Sequence, residues 1–318
     1  MWGAAVASSL DLTSGLAAVL VGLAVAGAKA APLTVCMAAD NAPLSHWVGG
    51  QPRGLDVRIA QAAASLLGRE LTVLPFETEY EKESALVHEV GALLASGVCE
   101  AASGFPLLAG DLGPPSRASA RTPDYPGARR KRDRPFVTLL PLAGSRAYQA
   151  VALGLVQRAG APPLAHLTEL GERRLGTVSG TLASAVALTW RNGRLRPNVV
   201  SLNQREDALA ELAELTPRPG GRRFDAVLLP LALFDGWMLG HPGQALVAAA
   251  YRRPIGVNLG FVTLDSASEL RAALDQAITQ ARAKGQLAQW ATEEGVSWAA
   301  PVPPEITRGP SLADLAAD

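Results

Sequence analysis

The triplet Ser179-Gly180-Thr181 has the residue types of an anion-binding turn. Residues 174–178 before it have the pattern of a strand, and residues 182–190 after it that of a helix. The two hydroxyls and the first amides of the helix would then converge on one point, where the helix dipole favours negative charge. The alternative is an ordinary N-cap that serves only the helix. The triplet predicts one of these two roles.

A second group of polar and aromatic side chains follows the first predicted strand. Residues 33–38 have the pattern of a strand, and residues 54–68 carry apolar positions at helical spacing. The loop between them contains Asn41, Ser45 and Trp47. Ligands of α/β units bind outside the carboxyl ends of the strands, so this loop is a predicted ligand-binding loop.

The spacing of the serine and histidine residues gives little support for a catalytic or a metal-binding site. Ser179 is the fourth residue of Gly176–Gly180, whereas a nucleophile elbow needs its serine third. The four histidines are too far apart in sequence for a metal motif; they are His46, His88, His166 and His241. We therefore predict a protein without cofactor or metal that is not an enzyme.

Alternating strand and helix patterns position these residues and predict an α/β fold. Strands are predicted at residues 33–38, 71–75, 99–105, 136–142, 174–178, 199–202, 224–229, 246–251 and 256–263. Helices are predicted at 54–68, 81–96, 148–159, 182–190, 205–215 and 266–285, followed by one that includes Leu287 and Trp290. Asn203 with Glu206, and Ser266 with Glu269, are predicted to cap two of these helices.

Two segments lack periodicity. Residues 107–134 are rich in Gly, Pro, Ser and Arg and predict a long loop. Its basic run, Arg129 to Arg134, is predicted to lie on a solvated surface, with a docking patch for an acidic partner as the alternative. The tail, residues 301–318, is predicted to be loose.

Length and composition exclude some classes of protein. The 318 residues suffice for two lobes of ordinary domain size, and 29 basic residues balance 29 acidic ones, so no nucleic-acid partner is predicted. An apolar run from Gly15 to Gly27 ends in Ala28-Lys29-Ala30, an A-x-A cleavage pattern. Residues 1–30 are thus predicted to be a cleavable export signal, which places the mature chain in the periplasm. The alternative is an uncleaved anchor.

The stretch from Leu33 to Ala60 carries a family resemblance. Its strand, N-x-P-x-S loop and G-[LF]-D-V-x-I-A helix start resemble the family 3 periplasmic solute-binding proteins, and the similarity covers roughly residues 32–297. Such proteins have two α/β lobes, each a mostly parallel sheet flanked by helices, that close on a small solute. The resemblance implies a first lobe at residues 31–140 and 252–300 and a second at 141–251. Closure would be a hinge motion across residues 136–142 and 251–256.

The resemblance also implies site residues. In relatives the S-G-T segment holds the solute carboxylate, and a ring at the position of Trp47 lies against the solute; packing is the alternative role for Trp47. The expected contacts are Asn41, Ser45, Trp47, Ser103 and Phe105 from the first lobe and Ser179 and Thr181 from the second. Cys36 and Cys99 lie on strands that are neighbours in this fold, so they form either a disulfide or two buried thiols.

Two departures separate the chain from amino-acid-binding relatives. The S-x-T-x-x-R pattern that supplies a carboxylate-binding arginine is replaced by residues 106–111, unless Arg117 or Arg121 reaches back. The aspartate that ends the D-A-V-x-x-D strand and holds the solute amine is replaced by Pro230. The usual α-amino-acid site is therefore predicted to be absent.

Two motifs resemble a branch of the family. The patterns L-x-V-C-x-A-x-x-N-x-P-x-S and C-E-x-x-x-G-x-P are similar to solute-binding-like proteins encoded with quinoprotein alcohol or methanol dehydrogenases. The leading prediction is delivery of a small organic solute to an inner-membrane ABC permease. The alternative is an accessory protein that contacts a quinoprotein dehydrogenase or its cytochrome. A dehydratase on the same fold is a lesser alternative, with Glu79, Glu100 or Asp111 as its acidic group.

Overall fold

The structure is a computed structural model that describes residues 1–2, 30–78, 85–214 and 219–310. Its strands are β1 (Leu33–Ala38), β2 (His46–Val48), β3 (Gln51–Arg53), β4 (Leu71–Phe76), β5 (Ala101–Pro106), β6 (Ser119–Ala120), β7 (Val137–Thr138), β8 (Leu142–Gly144), β9 (Gln149–Arg158), β10 (Leu175–Val178), β11 (Val199–Leu202), β12 (Ala226–Pro230) and β13 (Leu246–Leu264). Its helices are α1 (Leu55–Leu66), α2 (Leu86–Ala95), α3 (Leu182–Gly193), α4 (Ala208–Leu212), α5 (Leu231–Gly240), α6 (Ser268–Ala283) and α7 (Gln286–Glu293).

One sheet runs through the whole molecule in the order β11-β10-β12-β9-β13-β5-β1-β4, with β8 added beside β13. Strands β4, β1 and β5 are parallel, and so are β11, β10 and β12. Strands β9 and β13 lie between these two sets and pair antiparallel with each other. The 19-residue β13 contacts the first set through β5, and β9 contacts the second through β12.

The apolar cores follow this division. In the first half, α1, α6 and α7 cover one face of the sheet around Ile59 and Ile278, while α2 covers the other around Val90. In the second half, α3 covers one face around Val186, and α4 with α5 covers the other. Each half therefore has the mostly parallel sheet between helices that the sequence predicted.

The predicted helix at 148–159 is wrong, because these residues form the central strand β9. Its apolar run is buried on both faces of the sheet, with Leu155 in the core under α3 and Val156 in the core under α4. A continuous apolar run of this length fits a buried strand as well as a buried helix. The pairing with β12 and β13 selects the strand.

The prediction of one continuous strand at residues 136–142 is also wrong. Val137–Thr138 pairs with β6, and only Leu142–Gly144 joins the main sheet. Phe136 and Leu140 remain exposed, so the apolar residues here do not form a buried strand. The segments that join the two halves are β9 and β13, which moves one side of the predicted hinge to residues 149–158.

Helix starts differ from the predicted caps. Helix α4 begins at Ala208, where Asp207 accepts hydrogen bonds from the amides of Leu209 and Ala210. Glu206 instead accepts from the backbone amide of Asn203 in the preceding turn. The cap residue of α6 is Ala267, without a side-chain hydrogen bond. The first part of the predicted helix 81–96 lies outside the described residues, and its remainder is α2.

The described part of the tail, residues 301–310, does not match the prediction of a loose segment. The side-chain amide of Asn258 donates to the carbonyls of Val302, Pro304 and Glu305. The Glu305 carboxylate forms ion pairs with Arg146 and Arg282. These contacts attach residues 302–305 to β13, and residues 311–318 lie outside the described part.

Cys36 and Cys99 form a disulfide between β1 and the segment that leads into β5, with 5.8 Å between their Cα atoms. The structure thus selects the first of the two predicted alternatives. The predicted export signal lies outside the described residues. Within the described ranges, no helix is long and apolar enough to cross a membrane.

Candidate functional site

The predicted loop after β1 is held by Ser45. Its hydroxyl donates to the carbonyl of Ala38 at 2.9 Å, and its amide donates to the carbonyl of Asn41 at 3.0 Å. The Ser45 side chain is fully buried, as is nearly all of Phe105, which packs in the core under α2. Both predicted contact residues therefore shape the site from beneath.

Asn41 lies beside Gly104, a position that only glycine can occupy without strain. Gly104 has φ +64°, and a Cβ there would lie 2.7 Å from Asn41 Nδ2. The carboxyl end of β5 thus approaches the Asn41 side chain closely. Asn41 also forms a bridge with Ser45, so the loop and the end of β5 are packed together.

Thr181 caps α3, as the N-cap alternative predicted. Its hydroxyl donates to the carbonyl of Val178 at 2.7 Å and accepts from the amide of Ser184 at 3.2 Å. Ser179 is different, because its side chain is exposed at the carboxyl end of β10. Its amide donates to Leu202, the last residue of β11, which fixes the turn against the sheet. Of the triplet, Ser179 is the residue that presents a hydroxyl to solvent.

A buried polar group lies beneath the first-half loop. Asp56, in the first turn of α1, is fully buried, and its neighbours are the hydroxyls of Tyr148 and Ser103. Burial raises the pKa of Asp56 to about 6, while these hydroxyls act to lower it. Ser103, a predicted solute contact, thus belongs to this buried group.

A cavity in the first half opens at the carboxyl ends of β1 and β4. This cavity, the edge cavity below, has a volume of about 630 Å³. Its lining residues are Ala39, His46, Trp47, Pro75, Phe76, Glu77, Asp124, Tyr125 and Pro126. Trp47 is half-buried and stands in the β2–β3 hairpin opposite Pro52. Of the predicted site residues, Trp47 is the one that lines this cavity.

The long loop supplies the opposite wall. The amide of Glu77, just after β4, donates to the carbonyl of Asp124 at 2.9 Å. The Arg134 guanidinium donates to the carbonyls of Arg129 and Thr122 and to Asp124 Oδ1 at 3.3 Å. Arg134 is buried, so the prediction of a fully solvated basic run is wrong at this residue. Its burial holds the loop against the end of β4.

Sequence reasoning missed the wall residues Glu77, Asp124 and Tyr125. Tyr125 stands in the run Pro123-Asp124-Tyr125-Pro126. An aromatic residue between two prolines, inside an aperiodic loop of this length, was the available signal, because long ordered loops in compact domains are usually functional.

The two arginines that could replace the carboxylate-binding arginine of relatives do not line the edge cavity. The Arg121 guanidinium lies 4.4 Å from the centre of the Phe136 ring. Arg117 lies near His88 on α2, whose pKa is lowered chiefly by burial and further by this arginine. Among the acidic candidates for catalysis, Glu100 is paired with Arg69 at 2.6 Å, and Glu79 lies outside the described residues.

Helix α5 joins the second half to the first-half loop. A Cβ on Gly236 would lie 3.1 Å from the carbonyl oxygen of Ala42. The neighbouring Asp235 accepts hydrogen bonds from the amide and hydroxyl of Ser297, which follows α7. Burial raises the pKa of Asp235 to about 6, against the lowering effect of these two bonds.

Solved structures share this arrangement. The substrate-binding domain 2 of GlnP from Lactococcus lactis, in its open conformation, superposes with a TM-score of 0.57 at 15% identity, over 85% of this chain and 97% of that one. A substrate-binding domain from Streptococcus pneumoniae gives 0.56 at 14% identity, over 82% and 99% of the two chains. The chain has the fold of the periplasmic solute-binding proteins.

This binding-protein fold confirms the architecture that the family resemblance implied. No protein-family model matches the chain, and no curated protein matches it in sequence. The solute-binding fold also carries catalysis elsewhere. An ancestral cyclohexadienyl dehydratase, AncCDT-3(P188L), superposes with a TM-score of 0.54 at 16% identity, over 83% of this chain and 92% of that one.

Proposed function

We propose that this chain is a periplasmic solute-binding protein that captures a small organic solute between its two lobes and delivers it to an inner-membrane ABC permease. The observation that carries the proposal is the edge cavity, which opens at the carboxyl ends of β1 and β4. Ligands of open α/β sheets bind at this edge. The substrate-binding domains of similar fold, one of them described as part of GlnP, support the same role.

The proposal assigns the first lobe to residues 31–140 and 252–300 and the second to 141–251, with residues 1–30 as an export signal. Ser179, exposed after β10, would meet the solute from the second lobe. The strands β9 and β13 connect the lobes and would bend on closure. Trp47 would lie against the solute from the first lobe.

The test is thermal unfolding of the purified protein against a panel of amino acids, organic acids, amines, alcohols and aromatic solutes. Saturation at about 100 times the dissociation constant adds about 2.7 kcal/mol to the free energy of unfolding and raises the melting temperature by a few degrees. A hit that Trp47→Ala abolishes and the distant Glu172→Gln retains supports the proposal. A folded protein that responds to no solute contradicts it.

A basic surface on the long loop supports the alternative that the chain is an accessory protein. Arg129, Arg130 and Arg132 are exposed on the long loop beside the edge cavity. Such a surface suits an acidic protein partner. Retention of a purified quinoprotein dehydrogenase or its cytochrome by the immobilised protein, lost when these arginines are changed to glutamine, would favour this alternative.

A further inference from the structure

The edge cavity combines aromatic rings with negative charge. Trp47, Phe76 and Tyr125 line it, together with the carboxylate residues Glu77 and Asp124. No lysine or arginine is among the described residues that line it. Among the described lining residues His46 is the one imidazole, and the two carboxylates outnumber it, so an anionic solute group would meet mainly like charge here.

We propose, on the premise that the chain is a solute-binding protein, that its solute is an organic cation with a compact apolar body, such as a primary amine or a quaternary ammonium compound. The faces of aromatic rings carry negative charge density and attract cations, most strongly those of Trp and Tyr. The ring faces would hold the apolar body and the cationic head together. The carboxylates would supply the opposite charge.

The two carboxylates contribute differently. Asp124 Oδ1 lies 3.3 Å from Arg134 Nη2 and also accepts from the amide of Tyr125, so part of its charge is already compensated. Glu77 is exposed, and its carboxylate has no hydrogen bond or ion pair within the described residues. Glu77 is therefore the main anionic partner for the solute.

The rest of the site argues against a zwitterion. Arg121 lies over Phe136 and Arg117 lies near His88, and neither is among the residues that line the edge cavity. Pro230 stands at the end of β12, where amino-acid-binding relatives have an acidic residue. The carboxylates that would bind a cation therefore lie in the first lobe, and the described lining of the cavity offers a solute carboxylate no arginine or lysine.

The experiment is isothermal titration calorimetry with matched probes. Choline is compared with its neutral isostere 3,3-dimethylbutan-1-ol and with the zwitterion glycine betaine; benzylamine is compared with benzyl alcohol. We expect at least one cation to bind about tenfold more tightly than its neutral partner, and about tenfold more weakly to Glu77→Gln. Glu172→Gln, an exposed change far from the cavity, is expected to leave affinity unchanged. Trp47→Leu is expected to weaken binding of the cation and to leave the fold intact.

The outcomes separate this inference from the proposed function. Equal affinity for a cation and its neutral partner, or no effect of Glu77→Gln on a protein with unchanged melting temperature, overturns the cation inference. Preferred binding of glycine betaine or of an organic acid overturns it too, and in each of these cases the solute-binding function stands. Absence of binding by cationic, neutral and anionic solutes alike overturns both.

Discussion

Asp235 accepts two hydrogen bonds from Ser297, one from the backbone amide at 2.7 Å and one from the hydroxyl at 2.6 Å. Asp235 belongs to α5 of the second lobe, whereas Ser297 follows α7, which packs on the first. The next residue, Gly236, lies close to the loop after β1, because a Cβ there would be 3.1 Å from the carbonyl oxygen of Ala42. This pair therefore ties the two lobes together beside the loop that is predicted to bind solute.

Removing this tie should lower stability. Asp235→Ala leaves the amide and hydroxyl of Ser297 without their acceptor, and hydrogen bonds to charged groups are worth about 1.5–3 kcal/mol each. We expect a loss of about 2–3 kcal/mol in the free energy of unfolding by urea titration, because removal of the buried charge offsets part of the cost. Ser297→Ala, which deletes only the hydroxyl, should cost less. Equal stability of Asp235→Ala and the parent protein would contradict the assignment.

The contribution of Asp56 and Asp235 to stability should fall as the pH rises from about 4 to 6. Burial raises the pKa values of Asp56 and Asp235 from 3.8 to about 6, so between these values the folded state binds more protons than the unfolded state. The stability from each protonated carboxyl is present below the unfolded pKa and is lost as the pH rises through the folded one. Each group accounts for at most about 3 kcal/mol.

The asparagine variants measure this dependence directly. Between pH 4 and 7 the unfolding free energy of Asp56→Asn and of Asp235→Asn should rise relative to that of the parent protein. The difference between variant and parent cancels the titration of all other groups. Glu172→Gln should reproduce the parent curve. A curve for Asp56→Asn that parallels the parent would show that this carboxyl titrates normally.

Gly154 is predicted to be intolerant of a side chain. It lies in β9, where a Cβ would be 2.7 Å from Leu231 Cγ on α5. Gly154→Ala should cost about 1–3 kcal/mol through overpacking. Gly110→Ala, where nothing lies within 4 Å, should be close to neutral. In a double-mutant cycle, Leu231→Ala should relieve part of the cost of Gly154→Ala, and strict additivity of the two changes would refute the clash.

The sequence predicted an element well where its residue pattern is compatible with a single type of secondary structure. Strand β1 and helix α1 agree with their predicted ranges to within two residues, because a short apolar run bounded by a loop and apolar residues at helical spacing are local properties. Strand β9 could not be predicted in this way. Its apolar run carries no period, and only pairing with β12 and β13, each far away in sequence, decides its conformation.

The site shows the same limit. The sequence predicts the Ser45 and Thr181 hydroxyls as ligand contacts, with an N-cap as the alternative role of the triplet, and in the structure each donates to a backbone carbonyl nearby in sequence. Tyr125 reaches the edge cavity through the bridge between Glu77 and Asp124, which are 47 positions apart in the chain. A spacing motif cannot report such a contact. The residues that line the cavity thus depend on the loop as much as on the strands.

The loop itself provides the last prediction. Arg134 holds it through the carbonyls of Thr122 and Arg129 and through Asp124, and it stands before Pro135, where trypsin does not cleave. Arg134→Ala should release the loop and speed tryptic cleavage at the exposed Arg130 and Arg132, because local opening governs proteolysis. Arg308→Ala, an exposed change, should leave the cleavage rate unchanged. An unaltered rate in Arg134→Ala would mean that the Glu77–Asp124 bridge alone suffices to hold the loop.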